Sequence, residues 1–274
     1  MKIHHLNCGT MCPYGERLIA GTGGLGPTPI ICHCLLIETA DSLVLVDTGM
    51  GLEDTRDPHG RLGTPFTLGF NVQANPAETA IEQVRALGFD PADVRSIAVT
   101  HLDLDHAGGL PDFPGADVHV FHPEHRAATD RALRDRLRYP SCHIEHGPRW
   151  RIHGVDGDSW FGFEAIRVMP GIEPEILLIP LVGHSRGHTG IAVRDPDGPG
   201  WLLHCGDAYF HHDEMRDPPH CPPGLRIFQA AMADDGSARV RNQERLRELA
   251  RDHGDEVRLF CAHDPLELER EQTG

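Results

Sequence analysis

The sequence predicts an α/β protein, on three observations. Short apolar runs bounded by turn residues recur along the chain, stretches with helical spacing lie between them, and several runs end at once on His or Asp. With 274 residues the chain can bury a substantial core, and it reads as one domain over 1–274.

Residues 2–6 read as an opening strand, and 13–29 as a Gly-rich connection. The apolar runs 30–37 and 43–46, separated by 38–42, suit a hairpin that feeds into VDTGMG. Asp47, at the end of this hairpin, reads locally as an Asp starting a turn before Gly49. Residues 49–76 have turn chemistry, with Phe66, Leu68 and Phe70 at alternate positions. Either these aromatics cover a substrate pocket or a hairpin packs on the surface. Asn75, Pro76 and Glu78 form a cap, a first-turn proline and a third-position acid, and Ala77, Ile81, Val84 and Leu87 keep helical spacing, which predicts a helix over 76–87.

The next strand, 96–99, opens SIAVTHLDLDHAGGL and delivers His101, Asp103, Asp105 and His106 together. In extended backbone, residues two apart project to one side, so His101 and Asp103 can share one metal while Asp105 and His106 reach a second. Residues 118–121 form another strand, and Pro123 opens a helix with Leu133 and Leu137 on one face. His119, His122 and His125 read as surface histidines. The pattern breaks over 138–160, an insertion or long ordered loop. Strands are expected at 164–168, 176–182, 201–205 and 257–261. The last three are followed by His184, Asp207 and His263, so the opening arrangement repeats, and rigid strand ends suit a tight metal site. Four prolines stiffen the stretch after Asp207, and Ser237 caps a charged helix with Val240, Leu246 and Leu249 inside.

The net charge of −16 opposes binding to nucleic acid or an anionic membrane surface. The N-terminal stretch lacks the apolar core of a signal peptide, and a cytoplasmic protein is expected, its eight cysteines reduced. Cys8 with Cys12, and Cys32 with Cys34, lack the C-x-x-C spacing of structural zinc.

HLDLDHAGG resembles the H-x-H-x-D-H signature of the metallo-β-lactamase-fold hydrolases, with Asp103 where that family usually has His. VDTG is similar to the family's D-T-G segment, whose Asp braces the metal loop, and GHSRGHTG to its G-H-T-x-G-H, with His188 supporting. CAHDP resembles the G-H-D segment of the lactonase branch. The resemblance implies a four-layer αββα sandwich of two mixed sheets flanked by helices. It gives His101, Asp103 and His184 to a first divalent metal, Asp105, His106 and His263 to a second, and Asp207 to both. Zinc is the expected metal, with Mn²⁺ or Fe²⁺ admitted by Asp103, whose extra negative charge would make the centre neutral with a bridging hydroxide.

The implied activity is a hydroxide held between the metals that opens a lactone or cleaves a small carboxylic ester. Asp105 and Tyr209 are the implied catalytic side chains. The family's tyrosine offset falls on Phe210, so Tyr209 reads equally as a packed aromatic. His204, His211 and His212 read as supporting or surface groups. A glyoxalase II-like thioester hydrolase comes second, since the T-H-H-H-x-D-H form of the motif is absent. A catalytically silent small-molecule-binding protein is the alternative of another class. The expected partner is a small ester or lactone, with no nucleic acid and no membrane.

Overall fold

Two six-stranded sheets carry the chain. The first holds β1 (Ile3–Met11), β2 (Ile30–Glu38), β3 (Leu43–Val46), β4 (Val94–Ala98), β5 (Asp117–Phe121) and β6 (Arg149–His153), in that spatial order. Its first three strands are antiparallel, and β3 to β6 run parallel. The second holds β7 (Asp158–Trp160), β8 (Phe163–Arg167), β9 (Ile176–Pro180), β10 (Thr189–Arg194), β11 (Trp201–His204) and β12 (Val257–Phe260), side by side from β12 back to β7. All its pairs are antiparallel except β11 with β12. The structure, a computed structural model, describes residues 1–130, 132–155, 157–196 and 198–273, apart from the side chains of Leu133 and Arg134.

The helices are α1 (Glu16–Ile19), α2 (Leu52–Arg56), α3 (Thr64–Gly69), α4 (Ala80–Ala86), α5 (Leu104–Ala107), α6 (His122–Thr129), α7 (Pro223–Met232), α8 (Gly236–Asp252) and α9 (Pro265–Thr273). Among the described residues, no helix is long and apolar enough to cross a membrane.

The layers follow from side-chain alternation. Leu35 and Ile37 of β2 enter the apolar layer between the sheets, against Ile166, Leu178, Ile191 and Val193. Cys34 and Leu36, on the opposite face, join Ile81 and Val84 of α4 and Ala127 of α6. A strand buried on both faces has no polar alternation, which is why 30–37 reads as an apolar run interrupted only by the buried His33. The second sheet repeats the scheme, with Leu177, Ile179 and Leu203 turned to Leu246 and Leu249 of α8. Helix, sheet, sheet and helix therefore stack as the expected αββα sandwich, each buried Leu or Ile contributing about 1.5–3 kcal/mol over exposure.

Several local expectations are corrected. β1 extends to Met11, and β9 stops at Pro180, which lacks the N–H to continue its ladder. The 76–87 helix is divided into a 3₁₀ turn, Pro76–Glu78, and α4, because Thr79 between them is extended at φ −63°, ψ 146°. Residues 49–76 are helical turns and not a hairpin. Phe66 and Phe70 therefore share a face, while Leu68 points outward at 68% exposure. α6 ends at Thr129, since Asp135 accepts from the Ala132 N–H and from Arg186 Nη2, drawing the chain away from a continuing helix. Leu137 is consequently exposed, and the Leu133 side chain expected beside it lies outside the described residues. His119 is buried and paired with His153 at 3.0 Å, so it is not a surface group. Asp235, not Ser237, caps α8, and Val240 faces outward. The irregular 138–160 stretch contributes β6 and β7.

A buried charge cluster bolts two of these segments together. Asp54 Oδ1 of α2 accepts from Arg61 Nε (2.7 Å) and His143 Nε2 (3.1 Å), and its Oδ2 accepts from the Gly51 N–H (2.9 Å). Burial disfavours the charged form of His143, but the Asp54 carboxylate outweighs it and raises the imidazole to about 9. Burial likewise opposes ionisation of Asp54, and His143 wins there too, holding it below its ordinary value.

Because the folded pKa of His143 lies above the unfolded value, its contribution is complete below about pH 6.5 and is lost as pH rises through about 9. Asp54 contributes above about pH 4, and that contribution is lost as pH falls further. Thermal unfolding of the protein should show a Tm that declines from pH 6.5 to 9. Asp54→Ala should cost about 3–5 kcal/mol near pH 6 and flatten this decline. An equally steep alkaline decline in the variant would remove His143 as its source.

Candidate metal centre

The centre is assembled at strand ends and braced from below by Asp47. Asp47 follows β3 in a left-handed conformation, φ 54°, an arrangement costing of order 1 kcal/mol that the surrounding hydrogen bonds must hold. Its Oδ1 accepts from the Thr100 N–H (2.7 Å), and its Oδ2 from Thr100 Oγ1 (2.7 Å) and His106 Nδ1 (2.9 Å). Two residues on, Gly49 has φ 61°, and a Cβ there would stand 2.1 Å from the Cys8 carbonyl oxygen. Only glycine fits this approach of β1 to the metal loop.

Three of the histidines are fixed through Nδ1, while that of His184 is buried without a hydrogen bond. With the Thr100 hydroxyl proton given to Asp47, His101 Nδ1 donates to Thr100 Oγ1 (2.9 Å). His106 Nδ1 donates to Asp47, and His263 Nδ1 to the Ile31 carbonyl (2.7 Å). This leaves each Nε2 with a free lone pair turned inward. His106 and His263 Nε2 both lie 3.1 Å from Asp207 Oδ1, and His263 Nε2 lies 3.8 Å from Asp105 Oδ2. His184 and His101 Nε2 lie 3.4 and 3.8 Å from Asp207 Oδ2. Asp207 is itself held by His188, whose Nε2 accepts its N–H (2.9 Å) while Nδ1 donates to the Leu181 carbonyl (3.1 Å).

Two ligand sets result, His101 with His184 and Asp207, and Asp105 with His106 and His263, the donor atoms of each within 4.8 Å of one another. Imidazole lone pairs and carboxylate oxygens face each other in a buried space. His101 Nε2, His106 Nε2 and Asp207 Oδ1 have no hydrogen-bond partner. Acceptors opposed in this way repel unless cations lie between them. Mixed nitrogen and oxygen donors suit a divalent metal such as zinc, so the residues fit the ions that the sequence implies. Positive charge is what the carboxylate requires: where the rings themselves carry it, as protonated His263, His106, His184 and His101, they outweigh burial and hold the Asp207 carboxyl well below the usual range.

The remaining expected residues fall as follows. Asp103 stands at the edge of the first set, its Oδ2 3.1 Å from His184 Nε2 and 3.4 Å from His101 Nε2, its Oδ1 taken by Arg138. Tyr209 is fully buried behind the second sheet and its hydroxyl donates to Glu267 (3.1 Å), the surroundings of the packed aromatic of the two readings. The following residue alternates to the other side, and Phe210 stacks on His263 at 4.9 Å. His204 is buried and donates to the His33 carbonyl, and His212 is tied to Asp264.

Two contributors escaped the sequence reading. Glu124 of α6 is fully buried. Its Oε1 accepts from the Leu102 N–H (3.0 Å) and Oε2 from Ser185 Oγ (2.6 Å) and the Gly187 N–H (3.0 Å), tying the metal loop to the His184 loop. It looks like an ordinary first-turn acid in sequence. α7, inside the proline-rich 208–235 stretch, places Leu225, Phe228 and Met232 at helical spacing on the cavity wall, a pattern that was available to read. With Phe66 and Phe70 they enclose about 830 Å³ above the Asp and His cluster.

Tyr209→Phe should leave kcat within about threefold of wild type and lower stability by about 1 kcal/mol, or a few degrees in Tm. A tenfold or greater loss of kcat with unchanged Tm would return the hydroxyl to the reacting atoms.

Comparison with known proteins agrees with this geometry. The model of the metallo-beta-lactamase superfamily matches residues 27–261. A probable metallo-hydrolase of Mycobacterium tuberculosis is 41% identical over 266 residues, 97% of this chain and 81% of that protein. The N-acyl homoserine lactonase AttM of Azorhizobium caulinodans is 29% identical over 238 residues, 84% of this chain and 80% of that protein. A solved N-acyl homoserine lactone hydrolase, with N-hexanoyl-L-homoserine bound at its catalytic metal centre, shares the fold with a TM-score of 0.72 and 22% identity, over 100% of this chain and 96% of that one. The chain belongs to the metallo-β-lactamase superfamily.

Proposed function

We propose that this protein is a two-metal hydrolase that opens a lactone or cleaves a small carboxylic ester, acting as one domain over 1–274. The observation that carries the reading is Asp207, whose two oxygens face both histidine sets on the floor of an apolar cavity of about 830 Å³. Similarity to AttM lactonases supports a lactone as substrate. His101, Asp103 and His184 are assigned to one cation, Asp105, His106 and His263 to the other, and Asp207 to both.

Divalent metals bound there supply Lewis acidity toward the ester carbonyl and lower the pKa of water toward about 7. The chain's own residues do the rest. Phe66, Phe70 and Phe228 exclude water and receive the acyl part, which directs the ester toward the floor. Phe210, stacked on His263, forms the wall beside the reacting carbon. Asp105 borders the cavity and is the most open of the three cluster carboxylates, at 13% side-chain exposure, so it is assigned to exchange a proton with the departing oxygen.

Metal analysis followed by parallel assays on homoserine lactones, aryl esters, S-lactoylglutathione and a cephalosporin tests this. Two equivalents of metal and fastest turnover of lactones are expected, whereas faster thioester turnover would move the assignment to a thioesterase. Asp207→Ala should reduce bound metal below one equivalent and kcat by about 10³-fold or more, and full metal retention would refute its shared role. Phe66→Ala with Phe228→Ala should raise KM for decanoyl over butanoyl lactones by about tenfold, since each removes apolar contact for a long chain. An equal effect on both lengths would place the acyl group elsewhere.

A further inference from the structure

Among the described residues, Asp103 is the one carboxylate of the centre with a guanidinium for a partner. Arg138 Nε donates to Asp103 Oδ1 at 2.6 Å, with the two side chains only 10% and 9% exposed. The guanidinium is held in turn by the Met232 carbonyl, which accepts from Nη1 (3.1 Å), and by Asp234, 4.0 Å away. Its Nη2 is buried without a hydrogen bond, so satisfying its donors does not by itself explain its position. With Oδ1 occupied, Asp103 turns only Oδ2 toward His184 and His101.

We propose that Arg138 is a positioning residue for the metal centre, which restricts Asp103 to one facing oxygen and cancels its charge, so that the pair presents to the first cation what a neutral donor would. The proposal rests on the reading that Asp103 faces a metal. It changes the charge count made from sequence. Asp103, Asp105 and Asp207 bring three negative charges to the cluster, and Arg138 returns one positive charge at hydrogen-bond distance from the first of them. Asp103 and Arg138 are therefore exchangeable only together. An imidazole at 103 with Arg138 left in place puts an uncompensated cation beside the metal ions, and like charges this close in a buried site repel strongly.

The test uses full-length protein stripped with chelator, as wild type, Asp103→His, Arg138→Met and the double variant. Zinc binding is followed by calorimetry, and thermal unfolding is recorded with and without zinc. Wild type should bind two zinc ions. Asp103→His should bind the weaker-held ion about tenfold less tightly or worse, and the double variant should recover to within about threefold of wild type. Arg138→Met should melt lower than wild type without zinc, because Asp103 is left buried without its guanidinium, and zinc should remove most of that deficit.

Asp103→His binding as tightly as wild type, or a double variant no better than Asp103→His, would overturn the proposal. So would a melting deficit in Arg138→Met that is the same with and without zinc, the mark of an ion pair that only supports the fold. If Arg138→Met fails to fold, the comparison of Asp103→His with the double variant still decides, since neither leaves a buried carboxylate unpaired. Wild type that takes up no metal overturns the functional reading and this one with it, whereas two bound ions without the recovery overturn this one alone.

Discussion

The structure depends on a confrontation of lone pairs. Four imidazole Nε2 atoms and the carboxylate of Asp207 face one another at 3.1–3.8 Å in a buried space. Left alone, such a set flies apart or protonates. It persists because four of the five members are anchored behind, His101 through Thr100, His106 through Asp47, His263 through the Ile31 carbonyl and Asp207 through His188. The anchors lie on different strands, so the two sheets must pack correctly before the donors meet.

That requirement explains the placement of strain and of small residues. Asp47 keeps its left-handed backbone because three hydrogen bonds from the metal loop reward it, and Gly49 lets β1 press against the same turn. Glu124 plays a matching part on the far side, where a single carboxylate takes donors from both the Leu102 and the Ser185 to Gly187 loops. Loops that carry the candidate ligands are thereby tied down at several points.

Electrostatics and shape then divide the labour. The floor of the cavity concentrates carboxylates and imidazoles, while its walls, from α3, α7 and Phe210, are aromatic and aliphatic. Polar groups are concentrated at one end, and the walls offer apolar contact. The Asp103 and Arg138 pair sits where floor and wall meet, tied to the end of α7 through Met232.

The sequence by itself determined most of the buried strands, though not β10, and the strand ends that carry candidate ligands, because a strand buried on both faces leaves a mainly apolar run and His101, His184, Asp207 and His263 each stand two residues past such a run. It also carried the turn glycines of VDTGMG and AGG. Only the tertiary structure decided that Tyr209 faces Glu267 while Phe210 faces the centre, since one residue of register along an irregular turn exchanges the two sides. Only it brought Arg138 and Glu124 to the metal loop, from positions with no periodicity or motif to mark them. The physical reason is common to these cases. Local spacing encodes which face of an element is buried, but a contact between residues distant in sequence exists only once the sheets have packed, and charge compensation is a property of that packing.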